Sequence, residues 1–275
     1  MFAGVSPATV SGATAAIAVA PETVAGLTPA NTQYQTYAAG QLGDLAARLI
    51  AIQSDLSTND IVQAKTDWLA AQQDWERVGA SYDSFGDLGE AVDGLPEAYQ
   101  GGVSSPDFTG LHRLEYGLWH NQPVSELQTV TATLAADVQK VRRHLNSDDL
   151  AGDPTNLPLR VHEILEDALR DHLSGQDDQG AGAAYAETYA DTQITGTVLG
   201  DVAPQISSRS PHLVQTAREQ LSTLQAALLQ AHSGEQWMSQ QQVSTATREH
   251  IDAALGAVLE TLSSVPGLLE VPPHP

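Results

Sequence analysis

From Tyr34 to Ile52 the large apolar residues Tyr34, Tyr37, Leu42, Leu45, Leu49 and Ile52 fall three to five apart on an otherwise polar segment, and no run of the chain alternates convincingly at period two. Side chains three and four apart share one face of a helix, whereas a half-buried strand needs period two. That contrast predicts an all-α fold with no sheet. Ser57-Thr58-Asn59-Asp60 offers capping side chains for a second helix over about 61–80, which carries Trp68 and Trp75. A Gly- and Asp-rich loop follows over 84–102. A third helix begins near Phe108 and a fourth covers about 124–145. Turn residues break the pattern over 146–158. Helical texture then returns over 159–173, 183–202, a segment led by Pro211 and ending near His232, and 247–262. Eight helices split around that break predict two up-and-down four-helix bundles, over 31–150 and 151–275. Residues 1–30, rich in Ala, Val, Thr and Pro, are expected to be a leader or linker.

Charge limits the partners. Lys+Arg total 12 against Asp+Glu 34, a net charge of -22 in 275 residues. Such a polyanion is repelled by nucleic acid and by anionic membrane surfaces, and attracts cations. Cys is 0, which excludes disulfides, thiolate zinc sites and cysteine nucleophiles. A metal would be held by carboxylate and imidazole, which favours hard or borderline ions. No Lys or Arg precedes Arg48, so residues 1–30 offer no basic signal n-region, and a cleaved export signal could have preceded them. The apolar stretch Ala13 to Ala20 falls short of the roughly 20 residues that span a bilayer, so the chain is not expected to cross a membrane.

The segment with most chemistry is Phe108-Thr109-Gly110-Leu111-His112-Arg113-Leu114-Glu115-Tyr116-Gly117-Leu118-Trp119. On a helix His112 and Glu115 project from one face, close enough to share an ion or to pair with each other. Between Arg77 and Arg113 there is no Lys or Arg, yet Asp83, Asp87, Glu90, Asp93, Glu97 and Asp107 lie there. An uncompensated acidic loop feeding a His/Glu helix is poised to attract a cation, although it also suits plain solubility. No zincin helix, phosphate-cradling loop, dinucleotide fingerprint or nucleophile elbow occurs. The remaining histidines, His172 among them, are expected to be surface or structural.

Gly110-Leu111-His112-Arg113-Leu114-Glu115 resembles the Gly-x-His-x-x-Glu motif of the imelysin-like proteins and, more narrowly, of EfeO-type iron-uptake components. Trp75-Glu76-Arg77-Val78 with Ser84-Phe85-Gly86-Asp87-Leu88 is similar to that group's Tyr-Glu-Arg-Ile-Glu … Ser-Phe-Gly-Asp-Leu-Asp block. The likeness extends over about 31–270 and is strongest in 75–119. It implies a helical, extracytoplasmic protein, in periplasm or at the cell surface, that captures iron for a membrane permease working with a haem peroxidase-type partner. It also implies a metal site on His112, Glu115, Glu76 and Asp93, with a further acidic ligand at Glu166 or Asp167. Two positions depart from the family. Its second Glu falls on Gly79 and its second Asp on Gly89, which implies a weaker site, substitution by Asp83 or Asp87, or a drift in metal binding. Asp191-Thr192-Gln193 resembles a family Asp-Phe-Gln of unassigned role. The ion is expected to be iron, Fe2+ or Fe3+, with zinc or manganese as alternatives, and the protein is expected not to be an enzyme. Two other functions fit the resemblance: a polysaccharide-binding module, with Arg142-Arg143 as a basic patch, and a peptidase-like metal-dependent hydrolase, for which no catalytic set is evident.

Overall fold

A computed structural model describes residues 20–80, 84–234 and 236–272. Asp83 lies outside these residues. Eleven α-helices are present among them: α1 Val24–Ser57, α2 Ile61–Glu76, α3 Gly86–Asp93, α4 Leu111–Trp119, α5 Val124–His144, α6 Leu157–Asp167, α7 Ala184–Asp201, α8 Ala203–Arg209, α9 Leu213–Leu228, α10 Thr245–Leu262 and α11 Val265–Leu268. The fold is all-α in substance. The only extended pairing among the described residues is a hairpin, β1 His232–Ser233 against β2 Gln236–Trp237.

Local chemistry explains the boundaries. α1 begins at Val24, inside the Ala- and Pro-rich stretch, because Thr23 accepts the Gly26 N–H at 3.0 Å as an N-cap. Pro29 lies within the helix, where it removes the N–H that would bond the Ala25 carbonyl and crowds that carbonyl. Asp60 caps α2 through the Gln63 N–H at 3.1 Å, as the sequence suggests. α3 falls in the segment expected to be loop. Its Gly86 and Gly89 weaken helix propensity, and burial of Phe85 and Val92 offsets that loss. Gly234, with φ at 68°, turns the small hairpin.

The apolar stripe of α1 is buried at Tyr34, Leu42, Leu45, Leu49 and Ile52, and α1 packs on α2 and α5. α6 packs on α7, and α9 on α10. α7 contacts α1, α2, α6 and α9, so it is enclosed on several sides. Its small Ala and Thr residues permit that approach, and two carboxylates, Glu187 and Asp191, are carried inward with them. Thr245–Leu268 has the length and composition of a membrane-crossing helix. Ile251, Leu255, Val258 and Leu262 nevertheless face the core, while Glu249, Asp252 and Glu260 are exposed. Arg160, fully buried, ties α6 to segments distant in sequence: its guanidinium donates to the carbonyls of Gly79 at 2.7 Å and Leu150 at 3.2 Å and to Ser84 Oγ at 3.0 Å. It lies between the Tyr34 and Phe85 rings.

Candidate metal centre

The His-x-x-Glu helix owes its position to Gly110. That residue has φ at 96°, and a Cβ there would meet the Val92 carbonyl oxygen at 2.5 Å. A glycine alone lets the start of α4 pass against the end of α3. His112 Nε2 is thereby brought to 3.3 Å from Asp93 Oδ1. Its other nitrogen, Nδ1, lies 3.2 Å from Glu115 Oε2 one turn along. Trp68 Nε1–H donates to the Leu111 carbonyl at 3.0 Å and ties α2 to the same corner.

Glu76, the last residue of α2, joins Asp93 through Gln72. The Gln72 Nε2 group donates to Glu76 Oε1 at 2.7 Å and to Asp93 Oδ1 at 3.0 Å. Three of the four principal expected residues, His112, Glu76 and Asp93, therefore line one cavity of about 300 Å³. Glu115 sits behind it, 1% exposed, and is absent from the lining. Glu166 lies elsewhere, 3.3 Å from His162 and 40% exposed. Asp87 is exposed in the first turn of α3. Gly79 leaves little room for a side chain, since a Cβ would meet Ile194 Cγ1 at 2.8 Å.

His172, expected to be surface or structural, is not at the surface: it is 7% exposed and sits at the hub of the acidic cluster. α6 runs on into a π-helical turn, Ala168–His172. The wider turn carries His172 inward, where its Nε2 lies 3.1 Å from Asp191 Oδ2 and 3.7 Å from Glu76 Oε2. Its Nδ1 is hydrogen-bonded to Asp177 and lies 3.7 Å from Glu187 Oε2. One donor atom each from Glu76, His172 and Asp191 falls within 4.8 Å of the others, and so does a set from His172, Asp177 and Glu187. Either set has the donor spacing that an ion would need. The signal in the sequence was the Glu187/Asp191 pair, four apart on one helix face with no Lys or Arg between Arg170 and Arg209.

Seven carboxylates among the described residues line the cavity: Glu76, Glu90, Asp93, Asp167, Asp171, Asp177 and Asp191. Arg170, the single Lys or Arg among the described lining residues, is 2.8 Å from Asp167 and 2.7 Å from Asp171. Burial, with the Glu76 charge adding to it and the neighbouring histidines opposing it, pushes Asp93 up to about 7 and Asp191 up to about 8. Burial would lower His112, but the Asp93 and Glu115 charges lift it to about 10. His172 is likewise raised well above its usual value by Asp177 and Glu76 against its burial. Protons on these groups offset their mutual repulsion, and a metal ion could supply the same positive charge. Gln72 Oε1 and Asp177 Oδ1 are buried with no hydrogen-bond partner among the described residues.

An all-helical protein with an interior cluster of imidazole and carboxylate donors is the class that fold and site define. The chain belongs to the imelysin family, also labelled peptidase M75, which it matches over residues 30–265. It is similar to the iron uptake system component EfeO of Escherichia coli strain K12, at 21% identity over 260 residues covering 94% of this chain and 69% of that protein. The EfeO proteins of Shigella flexneri and Shigella sonnei match with the same figures.

Proposed function

We propose that this protein captures iron outside the cytoplasm and hands it to a membrane permease, as a binding component rather than a catalyst. The convergence of His172 with Glu76 and Asp191, beside His112 and Asp93 and on one cavity, is the observation that carries this reading. The ion would be held first by His172 Nε2 with Glu76 and Asp191, whose donor atoms lie within 4.8 Å of one another, and His112 Nε2 and Asp93 on the same cavity would close on it when it binds. Nitrogen and carboxylate donors without sulfur suit iron and would also accept manganese or zinc. The relatives named as iron uptake components favour iron. A haem peroxidase-type partner belongs to the same reading. So does a division into two helical units at 146–158, with α2 and α4 supplying donors from one side and α7 and the π turn from the other.

Elemental analysis of protein purified without added metal, followed by iron, zinc and manganese titrations, tests the proposal. Iron bound at micromolar or tighter affinity, and lost in a His172→Ala variant, is the expected result. Failure of all three metals to bind more tightly than millimolar would overturn it.

A further inference from the structure

Glu115 is the acidic member of the motif that the sequence offers as a ligand, and its surroundings assign it other work. Its Oε1 accepts the backbone N–H groups of Gln179 and Ala181, each at 2.9 Å. Its Oε2 faces His112 Nδ1. A carboxylate offers about four lone-pair directions, and three are committed here to groups on the side away from the cavity. His112 Nε2 is left as the nitrogen that reaches the cavity wall, toward Asp93.

The backbone held by Glu115 is the short segment between the π turn and α7. Asp178 Oδ1 accepts the N–H groups of Gly180 and Gly182, each at 2.9 Å, closing the segment on itself. Gly180 has φ at 130°, and a Cβ there would meet Trp119 Cβ, on α4, at 2.9 Å. Asp177, at the head of this segment, is hydrogen-bonded to His172 Nδ1. His172 Nε2 is left toward Asp191 and Glu76. The two histidines are thus handled alike: a carboxylate on Nδ1 sets the ring, and Nε2 is presented to the cavity. One segment, 177–181, links the two carboxylates.

We propose that Glu115 is a positioning residue and not an ion ligand: through the N–H groups of Gln179 and Ala181 it fixes the segment that orients His172, and through Nδ1 it orients His112. The inference rests on the proposed ion-binding reading, because it assigns a role within that centre. A carboxylate behind a ligating imidazole fixes its tautomer and ring plane, and losing it typically costs about 10–100-fold in metal affinity.

Zinc, which is diamagnetic, serves as the probe for nuclear magnetic resonance on the full chain. In the zinc-loaded protein the Gln179 and Ala181 amides keep their slow exchange, and His112 keeps a proton on Nδ1 with Nε2 bound to metal. In Glu115→Gln the side-chain carbonyl still accepts the two backbone N–H groups, so these amides stay protected. The new NH2 group faces Nδ1 and forces the ring proton onto Nε2, so zinc affinity falls at least tenfold. In Glu115→Ala the two amides exchange faster even without metal, and affinity falls with them. The inference is overturned if zinc loading frees the Gln179 and Ala181 amides, if Glu115→Gln binds like the parent, or if Glu115→Ala leaves both amides protected. Failure of the parent to bind zinc or iron overturns the ion-binding reading instead. The amide exchange of the metal-free variants then still decides whether Glu115 holds the segment.

Discussion

His112 and His172 occupy matching environments that the chain builds by opposite means. Each ring has a carboxylate on Nδ1 and another beside Nε2. His112 obtains its Nδ1 partner from its own helix, three residues away, and its Nε2 partner from the neighbouring α3. His172 draws on α2, the 177–182 segment and α7, with Glu76 almost a hundred residues distant. The first centre is a local motif with one tertiary contact. The second is nearly all tertiary structure. A local pair survives modest distortion, whereas an assembled cluster exists only when all its elements are in register, and in return it gathers more charge at one point.

That difference predicts unequal consequences, and the largest is at His172. Replacing it with Ala removes the cation that four carboxylates share, Glu76, Asp177, Glu187 and Asp191. Metal affinity should fall by more than 100-fold. The metal-free protein should also melt lower, since removing one partner of a buried charge cluster typically costs about 3–5 kcal/mol. His112→Ala leaves Glu115 still bonded to two backbone N–H groups, so its effect on melting should be smaller, with an affinity loss nearer tenfold. Titration and thermal melting of both variants check this. A larger loss of stability in His112→Ala would break the contrast.

A middle-sized effect concerns pH. Asp93 at about 7, Asp191 at about 8 and His112 at about 10 all hold protons more tightly in the folded chain than their ordinary values of 3.8 and 6.5 would allow. Each therefore contributes stability that is complete below its ordinary value and is lost as pH rises through its folded value. The metal-free melting temperature should decline from about pH 4 toward about pH 10. Ion binding expels the same protons, so the stabilisation on loading, RT ln(1 + [L]/Kd), should grow in the same direction. His112→Ala should remove the portion of the decline above about pH 8 and leave the Asp191 portion, which melting curves across pH would resolve. A metal-free melting temperature that rises from pH 5 to pH 8 would contradict these assignments.

How far the molecule could be read without coordinates follows the same division. The stripe of α1 and the extents of α5, α7 and α10 were legible because each buries one periodic face or, in α7, several. The start of α1 was hidden by Pro29 and an Ala/Thr texture, and α3 by two glycines in eight residues, where tertiary packing overrides propensity. In the candidate site, the His112–Glu115 pair was legible from spacing alone, and Glu76 and Asp93 from family likeness. His172 was not, because it lies on a π turn that departs from the helical period and its partners are scattered along the chain. Glu187 and Asp191 were visible as an uncompensated pair, but nothing local says which cationic group they meet.

Glu166 provides the smallest expected effect and the sharpest check on likeness as a guide to ligands. It neighbours Asp167, which does line the cavity, so a shift of one residue in register decides which of the two carboxylates faces inward. Adjacent helical residues point about 100° apart, so both cannot face the same way. The Glu166 side chain is 40% exposed and lies 3.3 Å from His162, one turn back on α6. Exposed pairs four apart on a helix contribute only about 0.3–0.5 kcal/mol. Glu166→Ala should therefore change metal affinity by less than threefold and melting by about a degree or less. Asp167→Asn should weaken binding more than Glu166→Ala does, through the charge at the cavity wall. Titration of the two variants side by side decides it: a tenfold loss in Glu166→Ala with Asp167→Asn unaffected would place the inward face of α6 one residue earlier and remove the basis for reading the centre from these contacts.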